Sequence, residues 1–142
     1  MITKIKSTIG MICVFSLSTL VHAQTPQTLS LKNQRGSTMN ITLIDEGNST
    51  GTIKGSFTTA VGNCQIEVGK PMALSGFYSG NAVTLSVNYP KCKKTIAMTG
   101  HFNADRTELD TLWMVAEESA DPKGKNWNAN IVGSDHYQRQ SA

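Results

Sequence analysis

The stretch Asn128 to Arg139 reads NANIVGSDHYQR, and its reading decides the fold. Side chains alternate faces along an extended strand, so Ala129, Ile131, Gly133, Asp135 and Tyr137 share one side. That side is apolar except for Asp135. A carboxylate on a core-facing row loses hydration and must recover it from hydrogen bonds. The stretch therefore predicts a strand whose inner face carries one acid, with something polar waiting for it inside.

Outward from this segment the same signature recurs. No part of the chain after the leader sustains a 3.6-residue apolar period, whereas short alternating runs separated by Gly, Asn, Asp and Pro return every dozen residues or so. Strands are predicted over Thr28–Asn33, Ser37–Ile44, Gly51–Ala60, Met72–Tyr78, Ala82–Tyr89, Lys94–Phe102, Leu109–Ala116 and Trp127–Gln138. Asp45-Glu46-Gly47-Asn48, Ser79-Gly80-Asn81 and Asn103-Ala104-Asp105-Arg106 suit tight hairpin loops. The class is all-β, and consecutive antiparallel pairing closed into an eight-stranded up-and-down barrel removes the exposed edges an open meander leaves. A sandwich fits the same alternation.

The first residues belong to no fold. Met1 to Ala23 combines Lys4 and Lys6, an apolar run from Ile9 to Leu20 and the small-x-small ending Val21-His22-Ala23, the pattern of a secretory signal peptide. The run is too short for a membrane anchor. Residues 24–142 then form one domain, secreted or periplasmic, with no membrane attachment after cleavage. Losing Lys4 and Lys6 leaves 11 basic residues against 10 acidic ones, a balance that argues against a nucleic-acid surface. Cys13 leaves with the leader, so Cys64 and Cys92 are the only pair in an exported chain and are predicted to form a disulfide. Metal binding is the rival, but two thiols without a nearby His pair are a poor ligand set.

Catalysis finds little support. His101 and His136 fall on outward phases, no Ser or Cys sits in a recognisable nucleophile motif, and no Gly-rich phosphate loop is present. The inward rows are more informative. Met39, Ile41, Leu43, Ile53, Phe57, Val83, Leu85, Val87, Tyr89, Ile96, Met98, Phe102, Trp113, Val115, Ile131 and Tyr137 supply a core. Asn33, Ser37, Thr59 and Asp135 interrupt those rows near strand ends, where a barrel has its mouth. Any one of them alone reads as a buried polar group satisfied by backbone or water. Together with Trp113 and Tyr89 they describe an apolar pocket with a few placed polar groups, large enough in an eight-stranded barrel for one small ligand.

Five segments carry a resemblance: Asn33-Gln34-Arg35-Gly36-Ser37-Thr38-Met39, Thr59-Ala60-Val61-Gly62-Asn63, Val87-Asn88-Tyr89, Thr111-Leu112-Trp113, and Trp127 through Ile131-Val132-Gly133-Ser134-Asp135. In order and spacing the chain resembles the avidin and streptavidin family of biotin-binding proteins. The resemblance implies the up-and-down barrel and non-catalytic binding of biotin, with no cofactor and no metal. It implies that Asn33, Ser37 and Phe57 stand where relatives hold the ureido oxygen with Asn, Ser and Tyr. Thr59 and Asp135 would accept from the ureido nitrogens, and Asn63 would meet the ligand carboxylate through its backbone N–H. Trp113, Tyr89 and Met98 would wall the ring, and Trp127 matches a loop Trp that reaches a neighbouring subunit's pocket in tetrameric members.

The departures bear on strength and assembly. Phe57 lacks the donor of the usual Tyr, Leu31 replaces a usual Trp, Tyr89 and Met98 offer less flat ring surface, and Lys94 and Ile96 lie where relatives often carry hydroxyls. Biotin binding weaker than in the tightest relatives is the expectation. Cys64 and Cys92 resemble the bridge of dimeric bacterial members, while Trp127 resembles the tetrameric ones, so a homo-oligomer of two or four subunits is expected. A lipocalin-like carrier, or a pocket turned to another cyclic urea or amide, is the rival reading.

Overall fold

Alternation of buried and exposed residues runs through nearly every strand and curls the sheet onto itself. The computed structural model of the chain describes residues 25–121, 123 and 130–141. The expected leader, Met1 to Ala23, and the expected loop residue Trp127 lie outside the described residues. Eight strands follow in chain order: β1 Gln27–Asn33, β2 Thr38–Gly47, β3 Thr50–Thr58, β4 Pro71–Ser79, β5 Ala82–Tyr89, β6 Lys94–Phe102, β7 Glu108–Glu117 and β8 Asn130–Arg139. Each pairs antiparallel with the next, and β8 returns to β1, so the sheet is a closed barrel. The barrel is therefore the correct choice between the two architectures that alternation allows.

Turn chemistry sets the register. The β2–β3 hairpin closes with Gly47 opposite Thr50, and its two loop residues, Asn48 and Ser49, both hold positive φ (54° and 58°), as the favoured two-residue hairpin turn requires. In the β4–β5 hairpin Gly80 takes that role at φ 61°. At the β1–β2 turn Gly36, at φ 90°, brings the chain round so that the Asn33 N–H meets the Ser37 carbonyl at 2.9 Å.

The core lies inside the barrel. Leu29, Leu31, Met39, Ile41, Ile53, Leu109 and Tyr137 are its most enclosed members, with Leu74, Val83, Leu85, Val87 and Phe102 around them. At roughly 1.5–3 kcal/mol for each large apolar side chain taken from water, this row is the main stabiliser of the fold.

Two expectations need correction at the mouth. Ser37 and Thr59 lie just outside strands: Ser37 ends the β1–β2 turn, and the Thr59 carbonyl accepts the Gly69 N–H at 2.8 Å as the chain leaves β3 for a long loop. Ile131, expected inside the core, is 48% exposed, because β8 begins above the packed interior and Ile131 faces the open cavity.

Candidate ligand-binding site

The loops after β1, β3 and β5 gather at one end of the barrel, and beneath them the interior is open. The cavity measures about 420 Å³, within the range of small-molecule sites. Asn33, Ser37, Phe57, Thr59, Asn63, Tyr89, Met98, Trp113 and Asp135 all line it. Strand phase brings Asn33, Phe57, Tyr89, Met98, Trp113 and Asp135 together, and the β1–β2 turn and the β3–β4 loop add Ser37, Thr59 and Asn63.

Hydrogen-bond directions can be read off the polar members. Asn33 Oδ1 accepts the backbone N–H groups of Arg35 (3.1 Å) and Ser37 (2.8 Å). Both of its lone pairs are used, so its Nδ2 hydrogens are what it presents to the interior. Ser37 Oγ accepts the Ala60 N–H at 3.0 Å, leaving its own hydrogen to donate. Thr59 is the reverse: its hydroxyl donates to the Val61 carbonyl at 2.6 Å, which leaves its oxygen as an acceptor. Asp135 Oδ1 takes Gln34 Nε2 at 3.2 Å and Arg35 Nη2 at 3.0 Å, while Oδ2 has no protein partner among the described residues. The site thus sets two donors, Asn33 and Ser37, against two acceptors, Thr59 and Asp135.

Arg35 and Gln34 are site residues that the inward rows did not select. They sit in the β1–β2 turn and reach across to β8, where Arg35 also donates to the Ser134 carbonyl (3.1 Å) and Gln34 Oε1 accepts the His136 N–H (3.1 Å). The Asp135 side chain is only 9% exposed, and this clamp supplies the countercharge its burial demands. The guanidinium also lies over Trp113, 5.5 Å from the ring centroid, a cation–π geometry.

Aromatic and apolar side chains make the walls. Phe57, Tyr89 and Met98 are buried and Trp113 is half-buried. Gly133 pairs with Trp113 across β7–β8, and a Cβ there would lie 2.3 Å from Trp113 Cζ2. The indole therefore rests flat on the β8 backbone because that residue has no side chain. The Tyr89 hydroxyl and Trp113 Nε1 are buried without partners among the described residues. Burial, and then the nearby Glu67 carboxylate, push the Tyr89 phenol up from its ordinary value.

A second clamp holds the β3–β4 loop over the mouth. Cys64 and Cys92 form the expected disulfide, with Cα atoms 6.0 Å apart. Glu67, buried and unremarked by its sequence context, accepts the N–H groups of Lys91 (3.2 Å) and Cys92 (2.9 Å). Lys94 Nζ bonds Asn63 Oδ1 at 2.5 Å and Glu117 Oε1 at 2.6 Å. The ligand-capable atoms of Cys64, Glu67 and Cys92 lie close together, but both sulfurs are consumed by the disulfide and the carboxylate by backbone. The histidines stand elsewhere: His101 is exposed, and His136 Nδ1 meets Asp110 Oδ1 at 2.7 Å on the surface.

The molecule is a closed antiparallel barrel with a polar-floored, aromatic-walled cavity at one mouth. The model of the avidin family matches residues 23–140, and the chain belongs to that family. Among solved structures it is similar to bradavidin, at 29% identity and a TM-score of 0.67, with 83% of each chain covered. Core-bradavidin matches at 28% identity and TM-score 0.66, covering 80% of this chain and all of that one (100%). Rhizavidin in complex with biotin matches at 26% identity and TM-score 0.65, covering 82% and 94%. No curated protein sequence matches this chain.

Proposed function

We propose that the chain is a non-catalytic binder of biotin, which enters the barrel mouth ureido end first. The observation that carries this reading is the donor and acceptor pattern of the floor. A cyclic urea presents one carbonyl acceptor and two N–H donors, the complement of Asn33 and Ser37 on one side and Thr59 and Asp135 on the other. A carboxylate acceptor makes a charge-assisted bond, and the open Oδ2 of Asp135 is available for it. Kinship with rhizavidin, whose structure contains biotin, supports the same reading. Phe57, Tyr89, Met98 and Trp113 would enclose the ring, Asn63 would meet the carboxylate end, and Trp127 would contribute from a neighbouring subunit.

Affinity below that of the tightest relatives is expected, because Phe57 brings no hydroxyl; one absent donor corresponds to about 1–3 kcal/mol. Export through a cleaved leader, to the periplasm or outside, is part of the proposal. So is a homo-oligomer: Leu112, Met114 and Val132 form an exposed apolar patch on the outer face of β7 and β8, with Met114 and Val132 in register, and a second copy would cover it.

The test is a titration of the oxidised protein with biotin, followed by calorimetry and Trp fluorescence. Saturable heat, quenched or shifted emission, and preference for biotin over fatty acids support the reading. Absence of heat together with no competition against a biotin probe at high micromolar concentration would refute it.

A further inference from the structure

Tyr137 is fully buried, and its hydroxyl has no hydrogen-bond partner of good geometry among the described residues. β8 delivers it inward beside Asn33, its Cα partner across the β1–β8 seam. On the other side its register partner is Leu109, a buried hydrocarbon with nothing to accept a proton. Asn33 cannot take the phenol hydrogen either. Its Oδ1 is already filled by two backbone N–H groups, so the amide turns Nδ2 toward the phenol oxygen, which can only accept from it, and the hydroxyl hydrogen is left without an acceptor among the described residues. Asn33 acts on the phenol through its amide, and the charged or ionisable groups whose fields reach the hydroxyl are Asp135, Tyr89 and Arg35; all four residues line the cavity. An unsatisfied buried hydroxyl destabilises the empty protein, and phenylalanine would fill the same space without that cost.

We propose that Tyr137 is a specificity-determining residue whose hydroxyl donates to the ligand's carbonyl oxygen alongside Asn33 Nδ2 and Ser37 Oγ. It thereby supplies from β8 the phenolic donor that Phe57 cannot supply from β3. The inference rests on the proposed binding of a cyclic urea and deepens it. The hydroxyl hydrogen has no acceptor among the described residues, and a carbonyl on the cavity floor would supply one, so its contribution appears only on binding.

The test compares wild type, Tyr137→Phe, Phe57→Tyr and the double variant by calorimetry with biotin and with desthiobiotin, and by thermal unfolding without ligand. Tyr137→Phe is expected to weaken both ligands about tenfold, the size of one neutral hydrogen bond, because they share the carbonyl and differ at the sulfur. Its ligand-free Tm is expected to stay level or rise. Phe57→Tyr is expected to tighten binding more in the Tyr137→Phe background than in wild type. Unchanged affinity in Tyr137→Phe, or a loss that Phe57→Tyr fails to restore, would overturn this inference alone. A wild-type protein that takes no biotin would defeat it together with the proposed function.

Discussion

Replacing Gly133 with alanine tests whether the cavity wall depends on a missing side chain. The added Cβ would lie 2.3, 2.7 and 2.8 Å from Trp113 Cζ2, Cη2 and Cε2. Ordinary contact begins near 3.4 Å, so the indole must move by about an ångström. The β8 backbone cannot yield without breaking its ladder to β7, and the free direction for the ring is toward the cavity and the overlying Arg35 guanidinium. Overpacking of this kind costs about 1–3 kcal/mol. If the ligand must push the ring back, that strain reappears as roughly 5- to 150-fold weaker binding. Calorimetry with biotin and ligand-free thermal unfolding read the two effects, and Trp emission reports the ring. In a Trp113→Phe background the smaller ring should lift most of the penalty. Wild-type affinity and Tm in Gly133→Ala, with unchanged emission, would show that Trp113 does not lie against β8 as described.

Three further outcomes are expected. Reducing the Cys64–Cys92 bridge, which spans 28 residues, should lower stability by about 3–4 kcal/mol on loop-entropy grounds and speed ligand dissociation; an unchanged Tm under reductant contradicts this. Glu67→Ala orphans the Lys91 and Cys92 N–H groups at about 1–3 kcal/mol, with Glu67→Gln milder because one acceptor remains; the measurement is thermal unfolding, and equal effects of the two substitutions would count against the backbone role. Tyr89 and Tyr137 are raised above the ordinary phenol range chiefly by burial, so folding favours their neutral forms. Their contribution is full below a pH of about 10 and is lost as pH climbs toward the folded values. Phenolate absorbance from these two should therefore rise together with loss of circular dichroism, and a buried phenol ionising at the ordinary pH in native protein would break the reasoning.

The legible part of the molecule is the part governed by period two. β5, AVTLSVNY, alternates from Val83 to Tyr89 without a fault, and β6 and β8 put Met98 and Asp135 on the faces that their phases demand. Where a strand stops is decided by partners distant in sequence, and there the reading slips: Thr59 leaves β3 because its carbonyl is claimed by Gly69. Arg35, Glu67 and Gly133 were illegible for the same reason. Arg35 is an ordinary exposed turn residue until β8 closes against β1 and brings Asp135 within 3.0 Å. Glu67 sits in a run with no periodicity, and its burial depends on the β5–β6 turn folding over it. Gly133 looked like one more small residue in a strand, and only the register of Trp113 gives it a task.

Under the proposed function, these nonlocal residues also offset a thin aromatic wall. Met98 and Tyr89 offer less flat surface than a pair of indoles, so less of the binding energy comes from stacking. What the chain provides instead is two segments of the mouth fastened before binding. The β1–β2 turn is fastened to β8 by Arg35 and Gln34, and the β3–β4 loop to the β5–β6 turn by a disulfide, Glu67 and Lys94. Ordering a loop on binding takes about 0.5–1.5 kcal/mol for each immobilised flexible side chain, and fastening it in advance removes that cost. The two clamps differ in kind, since one is covalent and the other is an ion pair with Arg35 40% exposed. Salt should therefore weaken binding through the first turn and reductant through the second loop. The two losses should add when both are applied, because the clamps share no residue.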